Sequence, residues 1–177
     1  AHHFLLPLGI SFYTFQTMSY TIDVYRGHIK PEHHLGKFAL YVSFFPQLIA
    51  GPIERAKGLL AQFHFQFDLD YDRIRSGSIR FLWGVFKKLV VADNLALYVS
   101  AVYGAPDEHQ GLTVWIAFLL FGYQIYYDFS AYADMAIGLA KILGVRLSEN
   151  FSHRIAFFAP SFVQLWREWH ITLTSWV

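Results

Sequence analysis

Residues 111–127 form an apolar run without a single charged side chain. This run constrains the chain more than any other feature, because a helix needs about 20 mostly apolar residues to cross a bilayer. Lipid offers no hydrogen bonds to the backbone, so such a segment must satisfy its own amides as a helix. A second run, residues 4–22, is also uncharged and is closed by Asp23 and Arg26-Gly27. Residues 38–53 lack charge too, but Pro46 and Gly51-Pro52 lie inside them. The expectation there is a broken or re-entrant segment, its backbone covered by protein or water. Residues 79–103 are apolar around Lys87, Lys88 and Asp93. They read either as a span with lysines at one membrane face or as a helix lying in the interface. Residues 131–143 are too short to span alone and stop at Gly144, a good helix terminator. Loops are expected over 27–37, 61–75 and 104–110, with Asp68, Asp70, Asp72, Arg73 and Arg75 in water or headgroups.

Composition agrees with lipid as the main solvent. Apolar residues make up 55% and charged residues 15%, where a soluble domain carries about 25% charged. The fold class expected is all-α: a polytopic integral membrane protein, a bundle of transmembrane and re-entrant or interfacial helices. The chain begins at Ala1 in apolar sequence and stops at Val177 inside a helical pattern. A single partial membrane domain over 1–177, truncated at both ends, is therefore expected. The 14 Lys and Arg residues are scattered and the net charge is +1, which argues against a nucleic-acid partner. The chain has no cysteine, so disulfides, thiolate metal sites and a Cys nucleophile are excluded. Adjacent histidines such as His33-His34 point about 100° apart on a helix and chelate poorly, so no metal site is expected.

Phosphate loops, nucleophile elbows and paired zinc histidines are absent from the sequence. Polar residues inside apolar sequence carry more information, since ionisable groups at membrane depth are costly and tend to be functional. One cluster runs from Tyr126 to Asp134 and holds Asp128, Ser130 and Asp134. It reads either as a capped, interface-anchored helix start, with Asp128 or Ser130 as cap, or as the polar wall of a substrate path. The other cluster is Trp166-Arg167-Glu168-Trp169-His170. Ser161 as N-cap and Gln164 at N3 fit a capping box. Phe162, Leu165, Trp166, Trp169, Leu173 and Trp176 then share one face of a helix. His170 lies at the border of that face, beside Arg167 and Thr174. A neutral histidine can take a hydroxyl proton near pH 7, although a lone histidine on an amphipathic helix is more often structural.

Several segments, in this order, resemble the alginate O-acetyltransferase branch of the membrane-bound O-acyltransferase family. They are Leu6-Pro7-Leu8-Gly9-Ile10-Ser11-Phe12-Tyr13-Thr14-Phe15-Gln16, Ser19-Tyr20-Thr21-Ile22-Asp23-Val24-Tyr25-Arg26-Gly27 and Phe44-Phe45-Pro46-Gln47-Leu48-Ile49-Ala50-Gly51-Pro52-Ile53. Tyr127-Asp128-Phe129-Ser130, Asp134-Met135-Ala136-Ile137-Gly138, Glu149-Asn150-Phe151 and Trp166-Arg167-Glu168-Trp169-His170-Ile171-Thr172-Leu173 follow. The resemblance implies a polytopic enzyme that moves an acyl group, here acetyl, from a cytoplasmic donor to an acceptor outside. It implies acetyl-CoA or another acyl thioester as donor, no bound cofactor, a polysaccharide acceptor, and periplasmic or membrane-associated acetylation partner proteins. It also implies residence in the bacterial inner membrane, in contact with its lipid.

His170 matches one of the family's two functional histidine positions; the other would fall beyond Val177, so this stretch alone is expected to be inactive. The family's usual Trp-Arg-Arg-Trp-His reads with Glu168 in place of a basic residue. On this reading His170 is a general base or orients one. Arg167 either steadies an anionic donor or snorkels, and Asp128, Ser130, Asp134 and Asn150 line or brace the reaction channel. Two rival readings stay open: a transporter, which should show an internal repeat, and a non-catalytic membrane scaffold for a polysaccharide-modification complex.

Overall fold

The computed structural model describes residues 9–48, 51–64, 68–152 and 159–176. Among these residues every regular element is helical and there is no strand. The order is α1 (Ile10–Tyr25), α2 (Leu35–Val42), a single 3₁₀ turn (Phe45–Gln47), α3 (Ala56–Gln62) and α4 (Tyr71–Phe86). A π-helical segment (Lys87–Ala92) leads into α5 (Asp93–Gly104). A 3₁₀ turn (Pro106–Glu108), α6 (Leu112–Ile142), α7 (Phe162–Glu168) and α8 (Ile171–Trp176) complete the chain.

The frame is an antiparallel hairpin. Helix α4, the π segment and α5 follow one another into a rod roughly 50 Å long at ~1.5 Å per residue. The rod runs back along α6. Gly77 faces Gly138, Gly84 faces Ala131, and Tyr103 meets Phe121 at 5.8 Å between ring centroids. Backbones touch where the glycines lie. A Cβ on Gly84 would stand 2.7 Å from the carbonyl oxygen of Ala131, and one on Gly138 would stand 2.6 Å from the Phe81 nitrogen. Small residues at a close helix crossing are the usual membrane solution, where packing rather than water exclusion drives association.

Two expectations are corrected here. The apolar run 111–127 and the segment 131–143 are one 31-residue helix, α6. Asp128 and Ser130 therefore sit in mid-helix and cap nothing. The polar side chains that suggested a break find partners across the hairpin instead: Lys88 Nζ donates to Asp128 Oδ1 at 2.6 Å and Lys87 Nζ to Ser130 Oγ at 3.0 Å. The loop expected over 61–75 is also shorter. Asp70 caps α4 by accepting from the Arg73 backbone N–H at 3.2 Å, and Asp72 adds negative charge to the first turn, which suits the helix dipole.

Helix α6 is long and apolar enough to cross a membrane, and among the described residues it alone is. Only 11% of its most apolar window is buried. Leu112, Trp115, Phe118 and Leu119 stand exposed along it, as lipid-facing residues do and a soluble core helix does not. The far half of α6 carries the core. Ala136, Ile137 and Ala140 pack with Tyr41 and Phe44, with Ala56, Leu59 and Leu60 of α3, and with Val145 and Leu147. The segment 38–53 is broken, as expected. Helix α2 ends at Val42, Gly51 N–H donates to the Gln47 carbonyl at 3.1 Å, and a Cβ on Gly51 would fall 2.4 Å from Gln47 Cα. Only glycine fits that bend. Helix α1 joins α2 through a reciprocal pair, Gln16 Nε2 to the Tyr41 carbonyl (2.7 Å) and Tyr41 hydroxyl to the Gln16 carbonyl (3.2 Å).

Candidate active site

The C-terminal segment is not the single helix that its apolar spacing suggested. Ser161 does cap α7, its Oγ accepting from Gln164 N–H at 3.2 Å, but the Gln164 side chain turns forward to Glu168 Oε1 at 2.8 Å instead of closing the box. After Glu168 the helix stops. Trp169 is extended, and His170 adopts φ 46°, alone among the described non-glycine residues in having positive φ. The left-handed region costs an L-residue roughly 1–2 kcal/mol, so neighbouring contacts must hold it there.

The neighbour that holds it is Asn150, fully buried. Its backbone carbonyl accepts from Ile171 N–H at 2.9 Å. Its Oδ1 lies 3.0 Å from His170 Nδ1, 2.8 Å from Thr172 Oγ1 and 3.3 Å from Thr172 N. One turn away Ser152 N–H donates to the Glu168 carbonyl at 3.1 Å. The stretch Asn150 to Ser152 thus clamps the break from both sides. Thr172 ties the clamp onward, its Oγ1 accepting from Ile53 N–H at 3.0 Å, just past the Gly51-Pro52 bend. The resemblance signalled Asn150, but its link to His170 depends on a break that helical periodicity conceals.

His170 itself is 8% exposed. Phe129 of α6 meets its ring edge-on at 4.8 Å between centroids, and Phe12 of α1 stacks at 6.5 Å. The residue lies between two short helices, outside the long apolar α6, and burial holds its pKa below the ordinary histidine value. Neutral imidazole is the form that accepts a proton.

Ser130, Asp134 and Asn150 line one cavity of about 500 Å³ between the rod and α6, together with Arg80, Lys87 and Glu149. Asp134 is its electrostatic centre: Oδ1 accepts from Arg80 at 2.9 Å and Oδ2 pairs with Lys87 at 2.6 Å. Arg80 also pairs with Glu149. Arg80 was not anticipated from the sequence, because nothing local marks it out from other basic residues on α4. Lys87 opens the π-helical segment, and such bulges occur often at functional sites. Asn150 is the residue shared between this cavity and His170.

Two expected site residues are not brought in. Asp128 is exposed on α6 and pairs with Lys88, which also pairs with Asp93 at 2.9 Å. Arg167 is exposed on α7 and does not line the cavity.

Residues 3–177 match the model of the membrane-bound O-acyltransferase family. The chain is 43% identical over 175 residues to a Pseudomonas aeruginosa protein named "Probable alginate O-acetylase AlgI", aligning 99% of this chain with 33% of that protein. It is 34% identical over 201 residues to "Peptidoglycan O-acetyltransferase" of Helicobacter pylori, covering 99% of this chain and 38% of the relative. It is 24% identical over 179 residues to "Teichoic acid D-alanyltransferase" of Bacillus subtilis, covering 99% and 44%. The chain thus spans about a third of the length of the alginate relative. With the family match running almost end to end, and every regular element among the described residues helical, this protein belongs to the membrane-bound O-acyltransferase family.

Proposed function

We propose that the full-length protein is a multi-pass O-acyltransferase of the bacterial inner membrane. It transfers an acetyl group from an acyl thioester such as acetyl-CoA to a hydroxyl of an extracytoplasmic polysaccharide, with alginate the acceptor class favoured by the relatives' names. Partner proteins complete delivery outside the membrane. The observation that carries the reading is His170: a buried imidazole kept at a strained break by a fully buried asparagine. A fold retains such a conformation where it serves function more readily than where it serves packing.

In the chemistry proposed, the neutral His170 ring takes the acceptor hydroxyl proton as the oxygen attacks the thioester carbonyl. The tetrahedral intermediate collapses with loss of thiolate, and the proton returns to the sulfur. Ser130 and Asp134 present polar atoms along the cavity, and Arg80 and Lys87 hold the Asp134 carboxylate in place. The decisive experiment is polysaccharide O-acetyl content in cells whose only full-length copy carries His170→Ala, at matched membrane abundance. Removing a general base typically lowers rate by about 10²–10⁴-fold, so acetylation should fall to background. Acetylation near wild type would leave His170 a packing residue and shift the catalytic role to the family's other histidine position, beyond Val177.

A further inference from the structure

The His170 ring has two nitrogens, and only the one carrying a lone pair can act as base. Nδ1 stands 3.0 Å from Asn150 Oδ1. An asparagine side chain presents oxygen and NH₂ in nearly the same shape, so its orientation must follow from its partners. Here the partners decide. Thr172 N–H is a backbone donor with no acceptor capacity, and it points at the same atom from 3.3 Å. A flipped amide would set NH₂ against that N–H. It would also turn the oxygen to the side where the present Nδ2 is buried with no partner. Oδ1 is therefore the acceptor for Thr172 N–H, the Thr172 hydroxyl and His170 Nδ1. Because an amide oxygen accepts only, Nδ1 must carry the proton.

We infer that Asn150 is a positioning residue: it locks neutral His170 as the Nδ1–H tautomer, leaving the lone pair on Nε2 as the proton acceptor. The inference rests on the proposed role of His170 as base and adds which atom does the work and what sets it. The neutral histidine side chain free in water favours the opposite, Nε2–H form, which would place the lone pair on the nitrogen that faces Asn150. The other rings around His170, Phe12 and Phe129, offer no titratable group. The charged groups nearest along the chain are Arg167 and Glu168. Beyond Asn150 stand Arg80, Lys87, Asp134 and Glu149, and Glu54 lies beside Thr172 in a neighbouring cavity. None of these is altered in the variants that follow.

The test uses the full-length protein in lipid nanodiscs, labelled with ¹⁵N-histidine, with the His170 signals assigned as those lost in His170→Gln. Nδ1 should resonate as a protonated nitrogen and Nε2 as an unprotonated one. Acetyl transfer is then followed from acetyl-CoA in membranes containing the natural acceptor system. Asn150→Ala should lose the tautomer preference and drop kcat at least tenfold with KM little changed. Asn150→Asp keeps an acceptor for all three donors and should restore the Nδ1–H form. Its added negative charge should move the acidic limb of the pH–rate profile up by about one unit, as an opposite charge close to a histidine does. Thr172→Val removes a second partner of Oδ1 and the acceptor of Ile53 N–H without touching the ring, so it reports lost bracing and should lower kcat per folded molecule less than Asn150→Ala while keeping the Nδ1–H form. An Nε2–H tautomer in the wild type overturns the inference. So does an Asn150→Ala kcat no lower than that of Thr172→Val, or an Asn150→Asp profile that does not move. If His170→Gln itself retains transfer, the role of His170 as base fails instead, whatever the tautomer.

Discussion

Two carboxylates on one helix, six residues apart, have opposite fates, and the difference is what stands across from each. Asp134 is 18% exposed in its side chain and is bracketed by Arg80 and Lys87, while Asp128 is 53% exposed and meets only Lys88. Removing Asp134 strands two cations in a half-dry cavity. Asp134→Ala should therefore cost about 1–3 kcal/mol, between the limits for exposed and buried pairs, and lower the melting temperature in detergent. Asp128→Ala should fall within about 0.5 kcal/mol of wild type, as surface changes do. Equal losses from the two variants would mean that the cavity network is not the buried one. Both residues were legible as polar intrusions in apolar sequence. Which of them turned inward was not, because Arg80 and Asp134 are 54 positions apart in the chain.

At the scale of elements, the hairpin depends on glycine as much as on apolar surface. Gly77 and Gly84 on α4 lie seven residues apart and oppose Gly138 and Ala131, also seven apart on α6. That period was present in the sequence and is the signal that would have paired these helices. Gly84→Val should push the rod from α6, with an overpacking loss of about 1–3 kcal/mol or more, seen as lower yield of folded protein and a lower melting temperature. Gly104 supplies the contrast: a Cβ there meets nothing within 4 Å. Gly104→Ala should hold stability or raise it by up to about 1 kcal/mol from helix propensity. The break at Trp169–His170 went unseen for the opposite reason. Its local sequence continues the helical period, and only the Asn150 clamp, twenty residues upstream, favours leaving the helix.

At the scale of the molecule, α6 at ~1.5 Å per residue is about 46 Å long, more than the ~30 Å of a bilayer's hydrocarbon core. A bilayer-spanning α6 would therefore emerge at one end, and the expectation is that water or headgroups reach the hairpin at the level of the paired charges of Lys88, Asp93 and Asp128. Residues 1–177 contain no cysteine, so single-cysteine variants of this region report cleanly in a full-length protein cleared of any cysteine elsewhere. Phe118→Cys should resist a membrane-impermeant maleimide in intact and in opened membranes, whereas Glu108→Cys, in the connecting turn, should react from one side. Full labelling of Phe118→Cys without detergent would show that this face of α6 is not in lipid.

The sequence by itself determined the helical class, the family and which polar residues interrupt apolar sequence. Those follow from local quantities: charge content, run length, breakers at Pro46 and Gly51-Pro52, and motifs read in order. Tertiary structure decided which of those residues meet. It fused two segments into α6, turned Asp134 inward and Asp128 outward, and broke the last helix to seat His170 against Asn150. Each of these outcomes depends on a partner far away in the chain, whose contact energy exceeds the local preference it overrides.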